Sequence, residues 1–286
     1  MRIQSYPKYR GFTLVELLVV ITIIGVLASL AAGGAWYAWR VAAETMTKTQ
    51  LSQMDMALEA YKNEFNEYPP MLNDQAAVMR HANSRWKRAN LSYDAILTAA
   101  GLALDKDLTT DDEKLAANND RIALSLTFWL GGLYVNGAYR GFNADLENPL
   151  VAGTQWKEPL FEFSERNTEE LEAGKPHLRF FALNKKPVVY FRSSASGDYN
   201  NPNPPTAPNR YLCGWREYGD AVPYMKSATV WHGAKKYQLI HPGRDGIFGE
   251  GPGPRVTADE TGISYEDYDN IVNFTDTATL KGALNQ

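Results

Sequence analysis

The longest apolar stretch of the chain covers residues 12–39, in which Glu16 is the single charged residue. About 20 apolar residues in an α-helix cross the ~30 Å hydrocarbon core of a bilayer, so this stretch is long enough to span a membrane. Three basic residues and no acidic residue precede it: Arg2, Lys8 and Arg10. Because positive residues stay on the cytoplasmic side, the pattern predicts one membrane helix with the rest of the chain outside the cytoplasm.

The helical pattern continues beyond the membrane stretch. Apolar residues recur at alternating spacings of 3 and 4: Leu51, Met54, Leu58, Tyr61, Phe65 and Tyr68. An α-helix places such positions on one face, and polar residues fill the other faces. Prolines at positions 69–70 favour a stop just before them. We therefore predict a helix over residues 12–67, with residues 12–39 in the membrane and residues 40–68, outside the cytoplasm, packed on a globular body. Two to three heptads are too few to favour a coiled coil.

The remaining residues, 69–286, predict an α+β body. Residues 74–140 have a helical pattern, and the run 122–135 is predicted as a buried helix because it is too short for a second membrane span. From residue 147 onward the pattern changes to short β-type runs, at residues 178–183, 187–192, 228–231 and 236–241. Residues 199–210 are predicted as an exposed loop. We expect a small antiparallel sheet within residues 147–286 to pack on the long helix, with residues 74–140 as a helical insertion.

Composition excludes several classes of protein. The 29 Lys and Arg residues against 33 Asp and Glu give a net charge of −4, which offers no electrostatic reason to expect nucleic-acid binding. The single cysteine, Cys213, excludes a disulfide framework and a multi-cysteine metal site. The four histidines form no zinc-protease motif, and neither a glycine-rich phosphate loop nor a G-x-S-x-G turn is present. We predict that the protein is not an enzyme.

Residues 11–16, with the sequence G-F-T-L-V-E, follow the basic segment and open the apolar stretch. This arrangement resembles the processing site of the type IV pilin family, which includes the pseudopilins of type II secretion. The resemblance implies that residues 1–11 are a leader and that a prepilin peptidase cuts after Gly11. It also implies that the new amino terminus at Phe12 is methylated and that Glu16 is the family's fifth-position carboxylate, with a role in assembly.

The position of Glu16 makes physical sense in such a protein. A carboxylate inside a membrane helix costs roughly 2.5–3.5 kcal/mol unless it has a partner. Cleavage after Gly11 would create a positive amino group at Phe12, with which Glu16 of a neighbouring, staggered subunit could pair and set the register. Alternatively, Glu16 stays at the headgroup level or pairs within its own chain. A signal peptide cut after Ala31 and an uncut membrane anchor are the other interpretations of the segment.

A second resemblance lies near the carboxyl end. Residues 237–251 resemble the last strand and glycine-rich loop of major pseudopilins, and residues 267–271 resemble their acidic D-(D/N)-I segment. Residues 186–190 are similar to the G-x-P-Y-x-Y strand of the same proteins. The resemblance implies a calcium ion held by carboxylates and main-chain carbonyls, which are the hard oxygen ligands that calcium prefers. Three carboxylates are the candidate side-chain ligands: Asp245, Asp267 and Asp269.

Two features depart from that calcium pattern. The spacer between Asp245 and Asp267 is longer than in the family, and His241-Pro242 replaces its usual small hydroxyl-bearing residue. The alternative interpretation is that Asp245-Gly246 simply makes a turn between strands, which this dipeptide does well without a metal.

Together the two resemblances imply a pilin-like fold and the role of a structural pseudopilin subunit, anchored by a single pass in the bacterial inner membrane with its body in the periplasm. The implied partners are the prepilin peptidase, other pilin or pseudopilin subunits, and the inner-membrane assembly platform. Two alternatives remain: a type IV pilus subunit for surface adhesion or DNA uptake, and a membrane-tethered periplasmic binding or enzymatic domain. No cofactor other than calcium is predicted.

Overall fold

The computed structural model describes most of the chain, namely residues 12–104, 107–164, 167–170, 178–180, 186–199, 213–215, 218–249 and 255–284. Gly11, the leader residues before it and residues 200–210 of the predicted exposed loop lie outside the described residues. The chain divides into two compact units, Met1–Ala43 and Glu44–Gln286.

The amino-terminal helix α1 covers Leu14–Phe65, within two residues of the prediction at each end. Its stop comes at Asn66, whose φ of 62° is left-handed, a conformation that asparagine tolerates better than most residues and that often ends helices. In the second unit, one face of α1 is buried. This face carries the predicted apolar stripe, including Leu51, Met54, Leu58 and Tyr61. Tyr68, the last member of the predicted stripe, is also buried although it lies beyond the helix.

The region predicted as a helical insertion contains α2 (Gln75–Arg85), α3 (Tyr93–Ala99) and α4 (Asp111–Leu126). Each begins at a residue whose side chain accepts a backbone N–H of the first turn: Asp74, Ser92 and Thr110. α4 continues into a π-helical turn, Thr127–Gly131, whose residues are all buried.

The predicted helix over residues 122–135 therefore ends four residues early. Gly132 has a φ of 80°, and a Cβ there would lie 2.1 Å from the carbonyl carbon of Gly141. This close approach leaves room only for glycine and turns the chain into a small hairpin, β1 (Tyr134–Val135) and β2 (Ala138–Tyr139). The pattern of apolar residues does not reveal that the backbones of Gly132 and Gly141 come this close, so it could not predict the end of the helix.

The carboxyl-terminal half is built from short strands, which confirms the α+β class. In chain order they are β3 (Thr168–Glu170), β4 (Leu178–Phe180), β5 (Val189–Arg192), β6 (Cys213–Trp215), β7 (Gly219–Ala221), β8 (Tyr224–Ser227), β9 (Val230–Trp231), β10 (Tyr237–His241), β11 (Arg255–Val256) and β12 (Ile271–Val272). A 3-10 turn (Glu266–Asp269) precedes β12, and α5 (Leu280–Leu284) follows it.

These strands form several small sheets rather than one. The order β12-β10-β5 makes an antiparallel three-stranded sheet, and β11-β8-β9 makes a second one in which β11 runs parallel to β8. The pairs β3-β4 and β6-β7 are antiparallel hairpins. Of the predicted exposed loop, Tyr199 is described, and it is buried against Trp231 with ring centroids 5.5 Å apart. Burial of Tyr199 contradicts that part of the prediction.

Polar contacts attach the sheet β12-β10-β5 to α1 within the second unit. The ammonium group of Lys48 donates to the carbonyl oxygens of Val272 and Thr275. The carboxylate of Asp55 accepts hydrogen bonds from the Tyr237 hydroxyl at 2.9 Å and the Asn273 amide at 3.0 Å. The sheet and the segment after β12 are thus fixed to one side of the helix, next to the buried apolar stripe.

Candidate assembly and cation sites

The start of α1 is closed by a capping box between Thr13 and Glu16. The Thr13 backbone N–H and hydroxyl both donate to Oε2 of Glu16 at 2.8 Å, and the Glu16 N–H donates to Oγ1 of Thr13 at 3.2 Å. Such a box satisfies two of the N–H groups that the first helical turn leaves without partners. In the single subunit, Glu16 therefore makes its contacts within its own chain, as one of the alternatives anticipated. The T-x-x-E spacing of Thr13 and Glu16 is the sequence pattern from which this capping role of Thr13 could have been predicted.

The first half of α1 is apolar and exposed. Every Leu, Val and Ile side chain between positions 14 and 30 is exposed, as is Phe12. The helix contains a window long and apolar enough to cross a membrane, and none of that window is buried. A surface of this size in contact with water would be strongly unfavourable, so it requires lipid or other apolar surfaces around it.

A buried polar chain joins the end of α1 to α2 and β5. The Tyr61 hydroxyl lies 2.6 Å from Nε2 of His81, whose Nδ1 lies 2.7 Å from Oε1 of Glu67. Arg192 contacts the other carboxylate oxygen of Glu67 at 3.3 Å, and Arg85 donates to the Tyr61 hydroxyl at 3.1 Å. Burial lowers the pKa of His81, and the Glu67 carboxylate opposes that shift. Each group has a partner, so the chain serves as a structural connection.

The loop between β10 and residue 249 contains Asp245. The Asp245 carboxylate accepts the backbone N–H of Ile247 at 2.8 Å, which is the side-chain turn that aspartate commonly makes. Burial raises the pKa of Asp245. His241, which departs from the family pattern, is fully buried, and its Nδ1 accepts the N–H of Gly243 at 3.1 Å. Burial lowers the pKa of His241 to about 3, so the ring is a neutral acceptor that shapes the start of the loop.

Asp267 is buried in an ion pair. Its Oδ1 lies 2.9 Å from Nε of Arg255, and the two side chains are 0% and 1% exposed. The Tyr224 hydroxyl donates to the same oxygen at 2.5 Å, while the N–H and hydroxyl of Ser264 donate to Oδ2 at 2.8 and 2.9 Å. Burial raises the pKa of Asp267, and the Arg255 guanidinium opposes that shift. Both carboxylate oxygens are therefore occupied by protein donors.

Asp269 ends the same 3-10 turn as Asp267 but lies against residues 243–245 of the loop. Its Oδ2 accepts the backbone N–H groups of Arg244 and Asp245 at 2.8 and 3.0 Å. Its Oδ1 is buried beside Gly243 without a hydrogen bond, and a Cβ on Gly243, whose φ is 59°, would lie 2.3 Å from that oxygen. The Lys186 ammonium donates to the carbonyl of Gly243 at 3.2 Å and to the carbonyl of Arg244.

The structure thus brings Asp245 and Asp269 together near residues 243–245, whereas Asp267 pairs with Arg255 beside Gly249 at the other end of the loop. Among the described residues, no group of three or more His, Cys, Asp or Glu side chains is placed to hold a metal ion. The residues as arranged do not fit a calcium ion with three carboxylate ligands. The sequence interpretation did not assign roles to Lys186 and Arg255, the cations that contact this region, because their partners lie 57 and 12 positions away in the chain.

An exposed apolar helix at the amino end and an α+β body describe a membrane-anchored protein of pilin-like architecture. Comparison with known proteins agrees. Residues 6–32 match the family model of the prokaryotic N-terminal methylation motif. A region of 66 residues is 39% identical to type II secretion system core protein G of Pectobacterium carotovorum subsp. carotovorum.

That region covers 23% of this chain and 42% of the relative, so the match spans less than half of the relative's length. No solved structure matches the chain. The methylation motif contains residues 11–16, on which the resemblance was based, and the relative is a type II secretion protein. Both matches support the resemblance of the amino-terminal segment to the type IV pilin and pseudopilin family.

Proposed function

We propose that this protein is a structural subunit of a type II secretion-type pseudopilus in the bacterial inner membrane and periplasm. The precursor is cut after Gly11 by a prepilin peptidase, and the new terminus at Phe12 is methylated. The observation that carries this proposal is the methylation motif over residues 6–32, at the boundary between a basic segment and the exposed apolar half of α1. The similarity to core protein G supports the secretion-type filament.

The proposed topology places the amino terminus in the cytoplasm before cleavage and the α+β body in the periplasm. The partners are the peptidase, other pseudopilin subunits and an inner-membrane assembly platform. In the membrane, lipid covers the exposed apolar half of α1, and in the filament the same surface packs against neighbouring copies. The role is structural and not catalytic, and no nucleic acid is bound.

Glu16 serves two successive roles in this proposal. In the membrane-inserted subunit, its carboxylate caps α1 through Thr13, which satisfies part of its need for hydrogen bonds in an apolar setting. In the filament, it pairs with the Phe12 amino group of the next subunit. The pairing requires that the carboxylate exchange partners or share them, and the capped geometry keeps it oriented towards the helix start.

Mass spectrometry of the mature protein tests the maturation step. A polypeptide that begins at N-methylated Phe12 supports the proposal. A terminus at Ala32 would mean ordinary signal cleavage, and an intact Met1 in cells with the peptidase would mean a plain anchor for a periplasmic domain. Either of these two results refutes the proposal.

Substitution of Glu16 separates charge pairing from capping. Glu16→Gln keeps an oxygen that accepts from Thr13 but removes the charge, whereas Thr13→Val removes the capping hydroxyl and leaves the charge. We expect both variants to be cleaved, Glu16→Gln to fail in assembly, and Thr13→Val to assemble. Filaments of normal length from Glu16→Gln would contradict the pairing role.

A type IV pilus subunit is the second candidate, because the methylation motif describes an amino-terminal segment and not a particular filament. The two are separated by fractionation: a pseudopilus subunit stays with the cell envelope and its deletion blocks protein secretion. A pilus subunit is released by shearing from the cell surface, and its deletion impairs adhesion or DNA uptake.

A further inference from the structure

The loop formed by residues 242–249 contacts a cation that the protein itself supplies. Nζ of Lys186, the residue that leads into β5, donates to the carbonyl oxygens of Gly243 and Arg244. It lies so close to the turn that a Cβ on Gly246 would be 3.3 Å away from it. The end of this side chain therefore lies against residues 243–246 of the loop.

The negative charges around this ammonium group are Asp245 and Asp269, both of which act on it electrostatically. Partial burial lowers the pKa of Lys186, and these two carboxylates oppose that shift. Oδ2 of Asp269 holds the N–H groups of Arg244 and Asp245, so the same carboxylate shapes the backbone whose carbonyls Lys186 contacts. Oδ1 of Asp269 is buried without a hydrogen bond. The positive charge of Lys186 nearby offsets the cost of burying this oxygen without a hydrogen bond.

This arrangement has the chemistry of a calcium loop with an ammonium group in place of the ion. Calcium needs 6–8 oxygen ligands, commonly carboxylates and main-chain carbonyls. An ammonium group has three donors and is satisfied by far fewer oxygens. The third expected carboxylate, Asp267, pairs with Arg255.

We propose that the ammonium group of Lys186 is the resident cation of the loop of residues 242–249, and that this protein keeps the loop in place without calcium. Lysine supplies one positive charge that cannot be removed by chelators, and its hydrogen bonds link the loop to the segment that precedes β5. The body would then fold equally well at any calcium concentration. The inference concerns the body alone and does not depend on the proposed filament.

The first test uses the wild-type full chain in detergent, with the melting temperature and amide hydrogen exchange measured in chelator and in millimolar calcium. We expect the same melting temperature and the same exchange rates for residues 243–247 in both conditions. Calcium titration by calorimetry should give no binding heat. A higher melting temperature in calcium, or saturable calcium binding at this loop, would overturn the proposal.

The second test replaces the cation. Lys186→Met keeps the length of the side chain and removes its charge, and Lys226→Met on an exposed strand position is the matched control. We expect Lys186→Met to lower the melting temperature by about 5 °C, the size expected for lost hydrogen bonds to a partly buried charge. Amide exchange of Arg244 and Asp245 should become faster. Equal stability and equal protection in Lys186→Met and wild type would refute the role of Lys186.

Discussion

Replacing Asp267 by asparagine breaks the buried ion pair with Arg255 while leaving the side-chain volume nearly unchanged. The guanidinium is 1% exposed, so it cannot regain water when its counter-charge is removed. In the native protein, Tyr224 and Ser264 donate hydrogen bonds to the Asp267 carboxylate. The NH2 group of an asparagine would face these donors and could not accept from them. The variant therefore combines an uncompensated buried charge with lost hydrogen bonds.

The expected loss is about 3–5 kcal/mol in the free energy of unfolding, the usual range when one partner of a buried pair is removed. For a body of this size, each kcal/mol corresponds to about 2–4 °C, so the melting temperature should fall by roughly 10 °C. The loss should be the same in chelator and in calcium, because the role assigned to Asp267 is pairing and not metal binding.

Thermal unfolding followed by circular dichroism measures this effect on the full chain in detergent. Asp259→Asn is the control, since Asp259 is exposed and its carbonyl-type oxygen can still accept the N–H of Thr261. The control should lie within about 0.5 kcal/mol of wild type. A double variant, Arg255→Gln with Asp267→Asn, should lose less than the sum of the two single variants because they share one interaction.

A melting temperature of Asp267→Asn within 2–3 °C of wild type (about 1 kcal/mol) would refute the reasoning. So would a loss seen only in calcium-containing buffer, since that result would make Asp267 a metal ligand. Strict additivity in the double variant would show that Arg255 and Asp267 contribute independently.

Two further predictions concern the body. Leu58→Ala, at a fully buried position of α1, should cost about 2–5 kcal/mol in urea unfolding, whereas Met56→Ala, 65% exposed on the same helix, should cost little; similar losses would contradict the assigned face. Because burial lowers the pKa of His241 to about 3, the unfolded chain binds a proton between about pH 6.5 and 3 that the folded chain does not. Stability should fall as pH drops through this window, by up to about 1.4 kcal/mol per pH unit, and His241→Asn should flatten the profile; an unchanged slope would exclude this contribution.

Local patterns were sufficient for α1. Its apolar stretch, its 3–4 spacing and the motif of residues 11–16 each depend on neighbours within a few turns of helix. For the same reason, the β-type runs around β5 and β10 and the helical character of α2 and α4 could be predicted. The early end of the 122–135 helix could not, because it depends on the approach of Gly132 to Gly141.

The contacts of the three carboxylates at the carboxyl-terminal loop are determined by the tertiary structure. The sequence supplied three carboxylates in a suggestive order, but whether they converge depends on where distant cations lie. Folding places Arg255 against Asp267 and Lys186 against the carbonyls of the loop, through strand pairings between β10 and β5 and between β11 and β8. A buried charge pairs with an opposite charge that the fold brings close to it. Which charges become close depends on the tertiary packing of the chain and not on the order of the residues.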